Sequence, residues 1–125
     1  MLRQTLRSTS AAAWRLAFWG CAVAVLTLCL LPPTVHLPST GWDKANHALA
    51  FAVLALLGLL AHPVRRPQVV WGLLAYGALI EVLQSFTGYR SAEWLDLAAD
   101  GVGIVLGWLV ARWWGASATQ QREPA

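Results

Sequence analysis

Asp43, His47 and Phe51 fall at i, i+4 and i+8, so on a helix they share one face. Glu81 and Gln84 are three residues apart, and Asp96, Asp100, Gly103 and Gly107 repeat at every third or fourth position. These sets lie inside long apolar runs, where an ionisable side chain costs about 2.5–3.5 kcal/mol on membrane-insertion scales. Groups that costly persist where they pair, face a cavity or perform a function. An imidazole beside carboxylates supports proton transfer, with His47 as base and Glu81 or Asp100 as acid. The same groups offer ligands to a divalent metal, and Lys44 and Arg90 offer cations to a phosphate or carboxylate.

Plainer roles compete for the same residues. Interhelical polar bonds stabilise membrane bundles modestly, so Asp43, Gln84 and their neighbours would also serve as clamps. Gly103 and Gly107 form a small-xxx-small pattern whose first use is close helix packing. Phe51 and Phe86 read as core. One histidine among hard oxygen ligands does not define a metal centre, and no HExxH, GxSxG, P-loop or CxxC pattern occurs. The sequence therefore assigns no metal site and no resident cofactor.

The elements that must position these groups are helices in lipid. The 125 residues support one domain, 1–125, and are 58% hydrophobic but only 12% charged, about half the usual charged share of a soluble chain. Mean hydropathy is +0.54. Four apolar runs, at 14–31, 45–61, 69–86 and 95–114, have the length needed to cross about 30 Å of hydrocarbon. The fold class read from them is all-α, an integral membrane bundle of four transmembrane helices. Pro32-Pro33, Pro63, Pro67 and Thr87-Gly88 separate the runs, and the tail after Gly115 reads as frayed. Cys21 and Cys29 read as packing residues. The basic N-terminal residues and the run after them read as a retained first span rather than a cleaved leader. The segment from Leu37 to Gly41 matches a sortase sorting pattern by coincidence, because three more spans follow it.

Orientation follows from the basic residues. Arg3, Arg7, Arg15, Arg65, Arg66, Arg112 and Arg122 lie on one side of the spans, against Lys44 and Arg90 on the other. Seven against two puts both termini and the second loop in the cytoplasm. A net charge of +3 then reports topology, and nucleic acid is not an expected partner. Trp14, Trp19, Trp71, Trp113 and Trp114 fall toward the inner interface, Trp42 and Trp94 toward the outer one. In this arrangement the second helix enters from outside, the third exits there and the fourth re-enters. Glu81 and Asp100 each lie about 7–8 Å below the outer helix ends. Three helices thus deliver polar groups to one level. Five carboxylates (Asp43, Glu81, Glu93, Asp96, Asp100) face two fixed cations there, so some must share a cation, share a proton or sit in water.

In order along residues 42–107, Asp43-Lys44-x-x-His47-x-x-x-Phe51, Glu81-x-x-Gln84, and Arg90 with Asp96, Asp100, Gly103 and Gly107 resemble the VanZ-like family of bacterial membrane proteins. The match covers over half the chain, with one departure: Asp100 stands where many members carry Asn. The resemblance implies a compact four-helix membrane domain in the bacterial inner membrane. It also implies a cell-envelope role, since the namesake is associated with low-level resistance to teicoplanin, a glycopeptide antibiotic aimed at lipid-linked cell-wall precursors. The leading expectation is an outer-facing polar pocket that binds a lipid headgroup or cell-wall precursor group through Asp43, Lys44, His47, Glu81, Gln84, Arg90, Asp96 and Asp100. The alternatives are a membrane-embedded enzyme acting on a lipid-linked substrate through His47, Glu81 and Asp100, and a proton-coupled transporter relying on buried carboxylates. The transporter ranks last because the polar groups cluster in one half of the bilayer. Oligomeric state is not legible.

Overall fold

The structure, a computed structural model, describes residues 2–36 and 41–120, with side chains described over 10–36 and 41–115. Four α-helices follow in order: α1 (Leu2–Leu30), α2 (Asp43–Ala61), α3 (Arg66–Ser85) and α4 (Trp94–Gln120). Within them Ser10–Leu30, Asp43–Ala61, Arg66–Ser85 and Trp94–Gly115 are each long and apolar enough to cross a membrane. The fold is all-α, as the apolar runs predict. Two helices overshoot those runs: α1 begins at Leu2, and α4 continues through Gly115 to Gln120, where the sequence suggests a frayed tail. Hydropathy marks only the lipid-crossing part of a helix, whereas backbone hydrogen bonding continues through polar helix formers such as Arg and Gln. Part of the sorting-like segment, residues 37–40, lies outside the described residues, as does Arg122; Arg3 and Arg7 lie outside the described side chains.

α2 is the hub of the bundle, packing on α1, α3 and α4. Its closest partner is α4. A Cβ added to Gly103 would run into the carbonyl oxygen of Ala48 and lie 2.9 Å from the backbone nitrogen of Ala52. One added to Gly107 would run into the carbonyl oxygen of Ala52 and lie 2.8 Å from the Ala55 Cβ. The two backbones therefore touch, which is what the small-xxx-small spacing permits. That approach brings the preceding turns of α4, with Asp96 and Asp100, against Lys44 and His47 on α2. Below them Val25, Phe51, Leu54, Ala55, Leu73, Ile80 and Ile104 form the apolar core. Phe51 is fully buried, but Phe86 is 81% exposed at the end of α3 and is not a core residue. Helix rotation past the last turn decides this, and spacing alone does not report it.

α1 is peripheral, with Leu16, Trp19 and Val23 facing outward. Side chains from α3 and the α3–α4 loop fasten it. Pro32 and Pro33 lack N–H groups, so the carbonyls of Leu28 and Cys29 lose their normal helical donors. Gln84 Nε2 donates to the Cys29 carbonyl at 3.0 Å and Tyr89 Oη to the Leu30 carbonyl at 2.5 Å, while Tyr76 Oη donates to the Ala22 carbonyl. Pro33 thus frees the Cys29 carbonyl and the end of α1 frees that of Leu30, while the Ala22 carbonyl accepts from Tyr76 within the helix. Gln84→Leu and Tyr89→Phe should each weaken this docking by about 0.6–1.7 kcal/mol, the range for interhelical bonds in membranes. The half-buried Cys29 thiol reads the effect: its rate of maleimide labelling should rise in both variants. Unchanged rates would show that apolar packing alone holds α1.

Candidate functional site

The N-termini of α2 and α4 and the C-terminus of α3 meet at one end of the bundle. The α3–α4 loop is shaped by local bonds: Thr87 Oγ1 donates to the Gln84 carbonyl at 2.7 Å and accepts the Arg90 N–H at 3.2 Å. Gly88 supplies a positive φ of 77°, a conformation that costs glycine no Cβ clash. This turn delivers Arg90 to the rim, where Arg90 Nη1 lies 3.9 Å from Asp43 Oδ1. Asp43 is exposed, in the first turn of α2, where the helix dipole favours an anion.

Beside it, Lys44 Nζ donates to Glu93 Oε2 at 2.8 Å and to Asp96 Oδ1 at 3.1 Å. The ammonium beside Glu93 holds that exposed carboxyl below the ordinary glutamate range. Beneath this lies the floor. His47 Nδ1 is 2.8 Å from Asp100 Oδ1, and His47 Nε2 is 3.9 Å from Asp96 Oδ2. Glu81 Oε2 accepts the backbone N–H of Glu93, the residue before α4, at 2.8 Å. A carboxylate there also meets the positive end of the α4 dipole.

His47, Glu81, Gln84, Asp96 and Asp100 are all buried, with Asp100 at 0% exposure. Satisfaction is incomplete: Glu81 Oε1, Asp100 Oδ2 and Arg90 Nε have no hydrogen-bond partner among the described residues. A buried polar atom without a partner costs about 1–3 kcal/mol, and more when charged. Asp100 Oδ2 is seated against α3 at Gly77, where an added Cβ would come within 2.6 Å. Gly77 makes room for the deepest acid.

The structure brings Asp43, Lys44, His47, Glu81, Arg90, Asp96 and Asp100 into one cluster, graded from an exposed rim to a buried floor. Gln84 departs from it, its amide turned to the Cys29 carbonyl on α1. Lys44 is engaged by two carboxylates, so the cation nearest to availability is Arg90. Sequence reading missed Thr87 and Gly77 as supports of the cluster, and Tyr76 and Tyr89 as the groups that fasten α1. Only Gly77 carried a legible signal, as the small residue one turn before Glu81 on the same helix.

Beside the cluster, α2 and α4 flank an open groove of about 540 Å³, lined almost wholly by apolar residues including Ala48, Ala52, Ala99, Val102 and Leu106. Lys44 lines both the groove and the polar cluster.

A family model described as VanZ/LLP1 matches residues 5–115. The chain belongs to the VanZ/LLP1 family. The matched stretch contains every residue of the cluster and the four membrane-crossing segments, so this VanZ/LLP1 member is a multi-pass membrane protein. No curated protein and no solved structure matches the chain. VanZ/LLP1 membership agrees with the resemblance read from the sequence and leaves the chemistry to be argued from the cluster itself.

Proposed function

We propose that this VanZ/LLP1 protein acts in the bacterial cell envelope by binding an amphipathic, lipid-linked molecule, with the polar end in the cluster and the chain in the α2–α4 groove. The observation that carries this reading is the continuity at Lys44, which lines the apolar groove and belongs to the polar cluster. An amphiphile needs such a junction. Arg90 meets the phosphate or carboxylate of the headgroup, as its guanidinium geometry suits either. The rim acids accept hydroxyl or amide N–H groups. The excess of basic residues at the opposite end supports an outward-facing cluster, with both termini in the cytoplasm of the inner membrane. Sequestering or shielding a cell-wall precursor group in this way would connect the protein to teicoplanin-type glycopeptide resistance.

The test extracts the full chain from bacterial membranes in polymer nanodiscs and identifies the co-purifying amphiphiles by mass spectrometry. A phosphate- or carboxylate-bearing species should be enriched about tenfold over the bulk membrane, equivalent to about 1.4 kcal/mol of preference. Arg90→Gln and the groove-filling Val102→Trp should return it to the bulk level with the protein still folded. A lipid profile that matches the bulk membrane in the wild type refutes the reading.

One distance favours a second reading. His47 Nδ1 at 2.8 Å from Asp100 is a base held by a carboxylate, which suits an enzyme acting on the same amphiphile. Asp100→Asn keeps that hydrogen bond and removes the charge, so turnover would fall while amphiphile enrichment stayed.

A further inference from the structure

We infer that His47, Glu81 and Asp100 form a divalent-cation site. Donor atoms of the three lie within 4.8 Å of one another, and all three residues are buried. Bonds of about 2.0–2.2 Å place two ligands of one metal up to about 4.4 Å apart, so closure asks for a few tenths of an ångström. Two further observations point into the site. Among the described residues, Glu81 Oε1 and Asp100 Oδ2 are buried without hydrogen-bond partners, on side chains more than nine-tenths buried. A neutral imidazole with two carboxylates carries two negative charges, which one divalent ion cancels.

A second set, Asp43, His47 and Asp96, also gathers within 4.8 Å. It is the weaker choice, because Lys44 binds Asp96 and Arg90 approaches Asp43. Fixed cations already compensate the rim; the floor has none among the described residues. With the metal on Nδ1, the imidazole proton moves to Nε2, which faces Asp96 Oδ2 at 3.9 Å. An approach of about 1 Å would turn this pair into the carboxylate–histidine–metal relay by which an outer carboxylate orients a ligand. One imidazole among carboxylate oxygens suits manganese or zinc. The site stands on this geometry; its use, bridging the cluster to a headgroup phosphate, rests on the amphiphile reading above.

The test titrates Mn²⁺ into the chelator-treated full chain in detergent and follows loss of the free Mn²⁺ paramagnetic signal, with Zn²⁺ as competitor. One ion per chain is expected. Asp100→Asn and Glu81→Gln, which keep shape and folding, should each weaken binding at least about tenfold, and Asp96→Asn about tenfold through the outer carboxylate. Absence of binding overturns the site, as does binding that Asp100→Asn and Glu81→Gln leave unchanged or that only Asp43→Asn abolishes. Repeating the amphiphile analysis after chelation separates the two ideas. Ion binding without amphiphile enrichment leaves the metal site standing and removes the headgroup reading. Enrichment without ion binding does the reverse.

Discussion

Gly103→Ala should cost about 3 kcal/mol or more, the upper end for overpacking, and deplete folded protein from the membrane. The new methyl would meet the Ala48 carbonyl oxygen and the Ala52 nitrogen, which are backbone atoms and cannot swing aside. Relief requires α2 and α4 to separate along their whole contact. Dispersion falls off steeply with distance, so even a small separation loses many contacts at once. The loss extends upward, because the same approach holds Lys44 and His47 against Asp96 and Asp100. Gly101→Ala provides the control on the same helix. Nothing lies within 4 Å of a Cβ there, so the better helix propensity of alanine should leave stability unchanged or slightly raised. Detergent-titration unfolding of both variants measures the contrast. Equal stabilities would show that the helices are not in backbone contact.

That contrast shows what the sequence reports and what it hides. Four spans were legible because lipid demands long apolar runs and prolines punctuate them. The meeting of Asp43, His47, Glu81, Asp96 and Asp100 was legible as an energetic necessity, since unpaired acids inside spans are expensive. Their partners were not. Whether Lys44 serves the rim acids or a ligand depends on the rotation of α2 about its axis, which a period of 3.6 residues leaves open. Gln84 belongs to α1 rather than to the cluster because Pro33 leaves the Cys29 carbonyl without a donor, a consequence that appears only once α1 and α3 are side by side. Tyr89 bonds the Leu30 carbonyl, which the end of α1 leaves without a helical donor. Phe86 shows the limit from the other direction: its aromatic character suggests core, yet it sits one residue past the last turn of α3 and faces outward. Small residues mark where helices can approach, but Gly101 and Gly103, two positions apart, have opposite roles that only the neighbouring helix decides.

The second large effect concerns whether the floor of the cluster exists for stability. His47→Leu should destabilise the protein by about 3–5 kcal/mol, the cost of leaving a buried carboxylate without its partner. It would leave Asp100, at 0% exposure, with neither oxygen paired. Asp100→Leu, which matches aspartate in shape, should cost less, about 1–3 kcal/mol for an unsatisfied imidazole N–H, because Asp96 remains 3.9 Å from His47. The double variant should recover most of the loss, since a buried pair replaced by apolar groups of similar volume is often neutral or stabilising. Measured with chelator present, so that no bound ion contributes, the cycle isolates the coupling between the two side chains. A clamp and a functional site then make opposite demands on the double variant. If the pair serves the fold, the apolar replacement is folded and active, and nothing is lost with the charges. If it serves a ligand, the replacement is folded, abundant and inactive. A double variant as unstable as His47→Leu alone would reject both, because the cost would then lie in the packing around Gly77 and not in an uncompensated charge.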